Sequence, residues 1–140
     1  MDEEATDPLT TPATKELSVY IEPDSEELNA QTLLKRSAVG DFSFLIGRRG
    51  SIAENYYGRV PDFLIAEEEP FTISRHHCSI KRTSYGALIK DLESKTGVVV
   101  NGVRYGGRDA KETKVKLGPG VHSLILGSRT GKARFKLIIE

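Results

Sequence analysis

The sequence predicts an all-β protein, a two-sheet β-sandwich of about eleven short strands, and three observations carry that prediction. Val, Ile, Thr, Phe and Tyr recur in short alternating runs, the pattern of a pleated, half-buried surface. No window of a dozen residues keeps a 3.6-residue apolar period, so no long helix is expected. Turn residues break the runs every few positions, which suits two packed sheets better than a closed barrel.

In chain order the strand-like runs are "LSVYI", "QTLLKRS", "FSFLIG", "DFLIA", "FTIS", "CSIKRT", "ALIKDL", "GVVV", "VRYGG", "TKVKL", "HSLILG" and "RFKLIIE". Between Val100 and Val103, "VNGV" is a strong hairpin signal, because Asn and Gly both tolerate positive φ. "SYG" at Ser84 to Gly86, "GPG" at Gly118 to Gly120 and "SRTGK" at Ser128 to Lys132 read as loops. The longest irregular stretch, "RGSIAENYYGRVPDF" from Arg49 to Phe63, is of a length that is uncommon without a functional reason. Residues 1–14, polar and holding Pro8, Pro12 and four threonines, read as an acidic disordered tail, and residues 15–140 as a single domain.

No apolar run approaches the roughly 18 residues that a spanning helix needs. The opening "MDEEATDPLTTPATKE" is acidic where a signal peptide would be basic and then apolar, so a cytoplasmic protein with no membrane partner is expected. A lone cysteine, Cys78, suits a reducing compartment. The formal charge of zero hides an asymmetry. Residues 1–28 hold nine Asp or Glu against Lys15, a net of −8, while residues 29–140 hold nineteen Lys or Arg against eleven Asp or Glu, a net of +8. Such a basic body attracts an anionic ligand, although a merely solvated charged surface has the same composition.

The stretch "FTISRHHCSI", Phe71 to Ile80, gathers two histidines, an arginine and the cysteine. Consecutive strand residues face opposite ways, so His76, His77 and Cys78 cannot all reach one ion, and His122 is the only other histidine. No metal or other cofactor is therefore expected. Nucleophilic catalysis by Cys78 meets the same objection, since His77 faces away from it, and no acid, base and nucleophile set is visible elsewhere. A buried structural cysteine and a non-enzymatic protein are the expectations.

Three motifs remain: Gly47-Arg48 at a strand end, Ser74-Arg75-His76-His77, and "SKTGVVVNG" from Ser94 to Gly102. In order, spacing and apolar flanks the chain resembles the forkhead-associated (FHA) domain over roughly residues 17–140. "PFTISRHHCSI" and the long loop before it look most like its bacterial stand-alone members. The resemblance implies a β-sandwich that recognises phosphothreonine in partner proteins. It assigns phosphate binding to Arg48, Ser74, Arg75 and Lys95; on chemical grounds Ser74 can offer both its hydroxyl and its backbone N–H. Gly47, His77, Gly97 and Gly102 would be structural supports, His77 packing under the binding loop and Gly47 allowing strands to approach closely. Thr96 and Asn101 would serve the peptide backbone or lie next to it. At Thr96 the family usually has Asn, whose amide presents a donor and an acceptor together, as a hydroxyl cannot, and this departure touches peptide-backbone recognition more than phosphate recognition.

The residue types make chemical sense without the family. A phosphothreonine brings nearly two negative charges and three acceptor oxygens, which call for a charged fork such as Arg48 and for short-range hydroxyl donors. The function expected is a phosphopeptide-binding adaptor for signalling or regulated assembly. The tail threonines Thr6, Thr10, Thr11 and Thr14, if phosphorylated, would offer the site an intramolecular ligand. The alternative is a phospho-independent oligomerisation or scaffold module with a degenerate phosphate site. Nucleic-acid binding ranks last, with only Tyr56, Tyr57 and Tyr105 as stacking candidates.

Overall fold

The computed structural model describes residues 17–50, 60–127 and 131–140. Among these, eleven strands and one short helix follow in order: β1 Val19–Pro23, α1 Glu26–Asn29, β2 Ser37–Val39, β3 Phe44–Arg48, β4 Phe63–Ile65, β5 Cys78–Thr83, β6 Gly86–Asp91, β7 Val98–Val100, β8 Val103–Tyr105, β9 Lys114–Leu117, β10 Gly120–Leu126 and β11 Ala133–Ile139. They form a five-stranded sheet, β9-β6-β5-β3-β4, and a six-stranded sheet, β2-β1-β11-β10-β7-β8. Every pairing is antiparallel except β3 with β4. This is the all-β sandwich that the sequence predicts.

Alternation supplies the core. Ile46, Ile80 and Ile89 from one sheet and Ile21, Leu124, Phe135 and Leu137 from the other are all buried, the inward halves of strands whose other residues face out. Phe63 links the layers, edge-on to Phe44 at 4.9 Å and stacked on Phe135 at 5.7 Å. The all-buried "VVV" of β7 fits its place between β10 and β8, where Val99 is covered on the outer face as well. Asn101 and Gly102, at φ 50° and 87°, make the tight hairpin between β7 and β8 that their dipeptide predicts. Reciprocal bonds between Ser18 and Glu140, at 2.7 and 2.9 Å, extend the pairing of β1 with β11 in the middle of the six-stranded sheet.

Two runs expected as strands are not strands. "QTLLKRS" forms turns, with the Leu34 N–H on the Gln31 carbonyl at 3.0 Å, and only its last residue enters β2. "FTIS" is irregular because its N–H groups go elsewhere: Thr72 and Ile73 both donate to the Glu67 carboxylate at 3.0 Å. The four-residue α1, absent from the sequence reading, buries Leu28. Tyr56, Tyr57 and Arg59 of the long loop, the "SRT" of the last one and the N-terminal tail lie outside the described residues.

Candidate functional site

Three segments converge at one end of the five-stranded sheet: the end of β3, the irregular connection from Ala66 to His77, and the connection from Leu92 to Gly97. The first contact is backbone on backbone. A Cβ placed on Gly47 would lie 1.7 Å from the Arg75 carbonyl oxygen, so only glycine admits the loop there. On either side of it, the Arg48 N–H donates to the Ser74 carbonyl at 3.0 Å and the His77 N–H to the Ile46 carbonyl at 2.9 Å.

That clasp places the Arg48 side chain. Its Nε donates to the Ile73 carbonyl at 3.1 Å, and its guanidinium lies 3.9 Å over the Phe71 ring. A hydrogen bond in the plane and a ring beneath it set the orientation of the fork. The loop carrying Phe71 and Ile73 is shaped in turn by Glu67, which also accepts the Thr72 hydroxyl at 2.6 Å.

His77 joins this loop to the next. Its ring is fully buried, and its Nδ1 accepts the Ser74 N–H at 3.0 Å. The ring proton therefore sits on Nε2 and is donated to the Gly97 carbonyl at 2.7 Å. Burial lowers the His77 pKa, opposed by the Gly97 bond and by the charges of Asp91 and Glu67, and keeps the ring neutral. Two further bonds connect the same loops: the Lys95 N–H donates to Ser74 Oγ at 3.1 Å, and the Thr96 hydroxyl donates to the Thr72 carbonyl at 2.7 Å.

The second loop rests on Asp91. Its buried carboxylate accepts the Ser94 hydroxyl in a very short contact, the Ser94 N–H at 3.1 Å and the Gly107 N–H at 3.4 Å. Ser94 Oγ then accepts the Gly97 N–H at 2.8 Å. Gly97 itself, at φ 77° and with the Gly106 carbonyl 2.7 Å from where a Cβ would sit, has no substitute.

The structure thus brings together Gly47, Arg48, Ser74, Arg75, His77, Lys95, Thr96 and Gly97. Arg75 and His76 are half-buried beside Ser74. One role that chemistry suggested for Ser74 is overturned: its backbone N–H donates to His77, which leaves the hydroxyl as its one outward donor. Asn101 and Gly102 do not join the cluster. β7 separates them from Gly97 by at least roughly 13 Å of extended chain, and the Asn101 amide is engaged with the Ser123 N–H at 2.9 Å and with His122 at 3.0 Å. Cys78 is fully buried, and burial, with the Asp91 charge adding to it, pushes its thiol far above the usual range. Among the described residues no three His, Cys, Asp or Glu are grouped to hold a metal.

Sequence reasoning missed Glu67, Phe71 and Asp91. Asp91 left a signal: in "ALIKD" the alternation that buries Ala87 and Ile89 also sends Asp91 inward, where a carboxylate needs donors. Glu67 sits in a run of three glutamates and Phe71 in an apparent strand, and neither pattern marks its role.

Sandwich and site together define a loop-presented recognition module in which cationic and hydroxyl side chains stand on a tied pair of loops. A family model for the FHA domain matches residues 44–121, and the chain belongs to that family. No curated protein is similar in sequence. Similar solved structures include the FHA domain of the CT664 protein from Chlamydia trachomatis, 21% identical with a TM-score of 0.57 over 86% of this chain and 96% of that one. An FHA domain solved in an analysis of phosphothreonine-dependent interactions is 22% identical, with a TM-score of 0.51 over 88% and 95% of the two chains. Mycobacterium tuberculosis EmbR in complex with a low-affinity phosphopeptide is 20% identical, with a TM-score of 0.55 over 93% of this chain and 26% of EmbR. At these identities the likeness is one of fold.

Proposed function

We propose that the chain is a non-enzymatic adaptor that binds phosphothreonine in partner proteins, its phosphate held by Arg48, Ser74, Arg75 and Lys95. The observation that carries this reading is the Ser74 hydroxyl. Its oxygen accepts the Lys95 N–H, its own backbone N–H is committed to His77, and among the described residues nothing accepts its proton. A hydroxyl donor fixed from two sides, next to the carbonyls that hold Arg48, supports the assignment of a phosphate contact there. Family membership supports the reading, as do the phosphopeptide bound to EmbR and the phosphothreonine-dependent interactions of another relative. With its hydroxyl on the Thr72 carbonyl, Thr96 serves peptide recognition by fixing the loop.

The test is titration of the full chain with phosphothreonine peptides drawn from an oriented library, beside phosphoserine and unphosphorylated twins. Binding restricted to phosphothreonine is expected. Arg48→Ala removes charge-assisted bonds worth about 2–3 kcal/mol, so affinity should fall roughly 30- to 150-fold with the fold intact. Unchanged affinity in that variant would overturn the assignment.

A further inference from the structure

The outer face of the five-stranded sheet carries a charge pattern that the phosphate site does not use. Alternation sends Ile80, Ala87, Ile89, Val115 and Leu117 inward and leaves Lys81, Leu88, Lys90, Lys114 and Lys116 facing out. Register sets Lys114 directly opposite Lys90, and Lys116 opposite Leu88, which is itself opposite Lys81. Four exposed lysines therefore share a patch two strand spacings wide, about 10 Å, and about 7 Å along the strands. The other outward strand positions are Leu45, Gly47, Leu64, Ser79, Thr83 and Gly86, so no carboxylate stands among them. Among the described residues none of the four lysines has an ion pair, and Lys116 lies 5.4 Å over the Tyr85 ring. Like charges set directly opposite one another weaken a sheet, so the Lys90–Lys114 pair is a cost to folding that no ion pair among the described residues offsets.

We propose that this face docks an acidic, extended segment of a partner protein. In an extended chain alternate side chains repeat every ~7 Å, the spacing of Lys114 and Lys116, so carboxylates at every second position meet the lysines in register. Leu88, between Lys116 and Lys81, and the aliphatic lysine stems give that segment an apolar floor. A nucleic acid fits the face less well. No aromatic residue occupies its strand positions for a base to stack on, and the patch is too short for the continuous stripe that a phosphate backbone follows. The four lysines and Leu88 share no residue with the phosphate site, so the two proposals stand or fall separately.

The experiment uses the full chain and fluorescence anisotropy with an unphosphorylated peptide alternating Glu and Thr, a Gln-for-Glu twin, and a short DNA duplex. The informative variant is Lys90→Glu. It turns the repulsive pair with Lys114 into an attractive one, so its Tm should hold or rise, and any loss of binding cannot be laid to unfolding. The wild type is expected to bind the Glu peptide in preference to both the Gln twin and the duplex, and Lys90→Glu to weaken that binding at least about fivefold. A wild type that ignores the Glu peptide, a variant that binds it equally well, or a duplex bound as tightly would each overturn the proposal. So would wild-type self-association in sedimentation that Lys90→Glu abolishes, which would give the face to a second copy of the chain.

Discussion

Replacing Gly47 by alanine tests how the recognition end is built. The added Cβ would stand 1.7 Å from the Arg75 oxygen and 2.7 Å from its carbonyl carbon, with Pro61 Cγ at 3.1 Å behind. Since such contacts are essentially never shorter than 3.0 Å, the Arg75 carbonyl must retreat by more than 1 Å. That movement pulls on the bonds flanking it, Arg48 N–H to the Ser74 carbonyl and His77 N–H to the Ile46 carbonyl. Two such bonds contribute about 1 kcal/mol each, and overpacking adds about 1–3 kcal/mol, for a total of about 3–5 kcal/mol. A typical domain is stable by about 5–15 kcal/mol, so the variant should remain folded but weakened. Urea unfolding followed by far-UV circular dichroism, with m compared, measures the loss, and phosphopeptide titration without urea should show weakened binding as well. Gly40→Ala is the control, because nothing lies within 4 Å of a Cβ there, and it should stay within about 0.5 kcal/mol of the wild type. Gly47→Ala indistinguishable from Gly40→Ala in both assays would refute the close-approach argument.

Two further outcomes follow from the same loops. His77 is neutral in the folded chain because burial lowers its pKa, whereas unfolded it returns to the ordinary 6.5. The unfolded state then binds a proton that the native state does not. Its contribution to stability is full well above pH 6.5 and is lost as pH falls below that, by up to about 1.4 kcal/mol per pH unit. His77→Gln should flatten that part of the profile between neutral and mildly acidic pH, and an unchanged slope would show that another group carries it. The second outcome concerns salt: if Arg48, Arg75 and Lys95 hold the phosphate, affinity for a phosphothreonine peptide should fall steadily with ionic strength. Affinity independent of salt would mean that the charges at this end of the sandwich are not the receptor.

The strands were legible in the sequence wherever alternation and turn residues agreed, as in "CSIKRT", "ALIKDL" and the Asn101-Gly102 hairpin. "FTIS" has the right composition for a strand and fails as one because the Glu67 carboxylate, four positions before it, takes its amides. Periodicity cannot see a competitor that acts through a side chain. The clustering of Arg48, Ser74 and Lys95 was approached only through the order of short motifs, since the pairings that join β3, β5 and β6 span many residues. Asn101 closes the last motif in sequence, yet β7 carries it away from Gly97 to the far end of the strand.

Thr96 shows how a departure from the family pattern is absorbed. Its hydroxyl crosses from the second loop to the Thr72 carbonyl, while His77 Nε2 reaches the Gly97 carbonyl and Ser74 Oγ takes the Lys95 N–H. Three bonds between the same two segments make them one unit, so neither can shift without the other. Both carboxylates beneath that unit, Glu67 and Asp91, are spent on loop N–H and hydroxyl groups. Backbone amides that could have formed an anion-binding nest are thereby committed inward, and the Ser74 N–H is committed to His77. On the proposed reading, recognition of a phosphate then falls to side chains, the Arg48 fork, the Ser74 hydroxyl and the cations beside it. A site built that way depends on how firmly its loops are held more than on how many donors they carry.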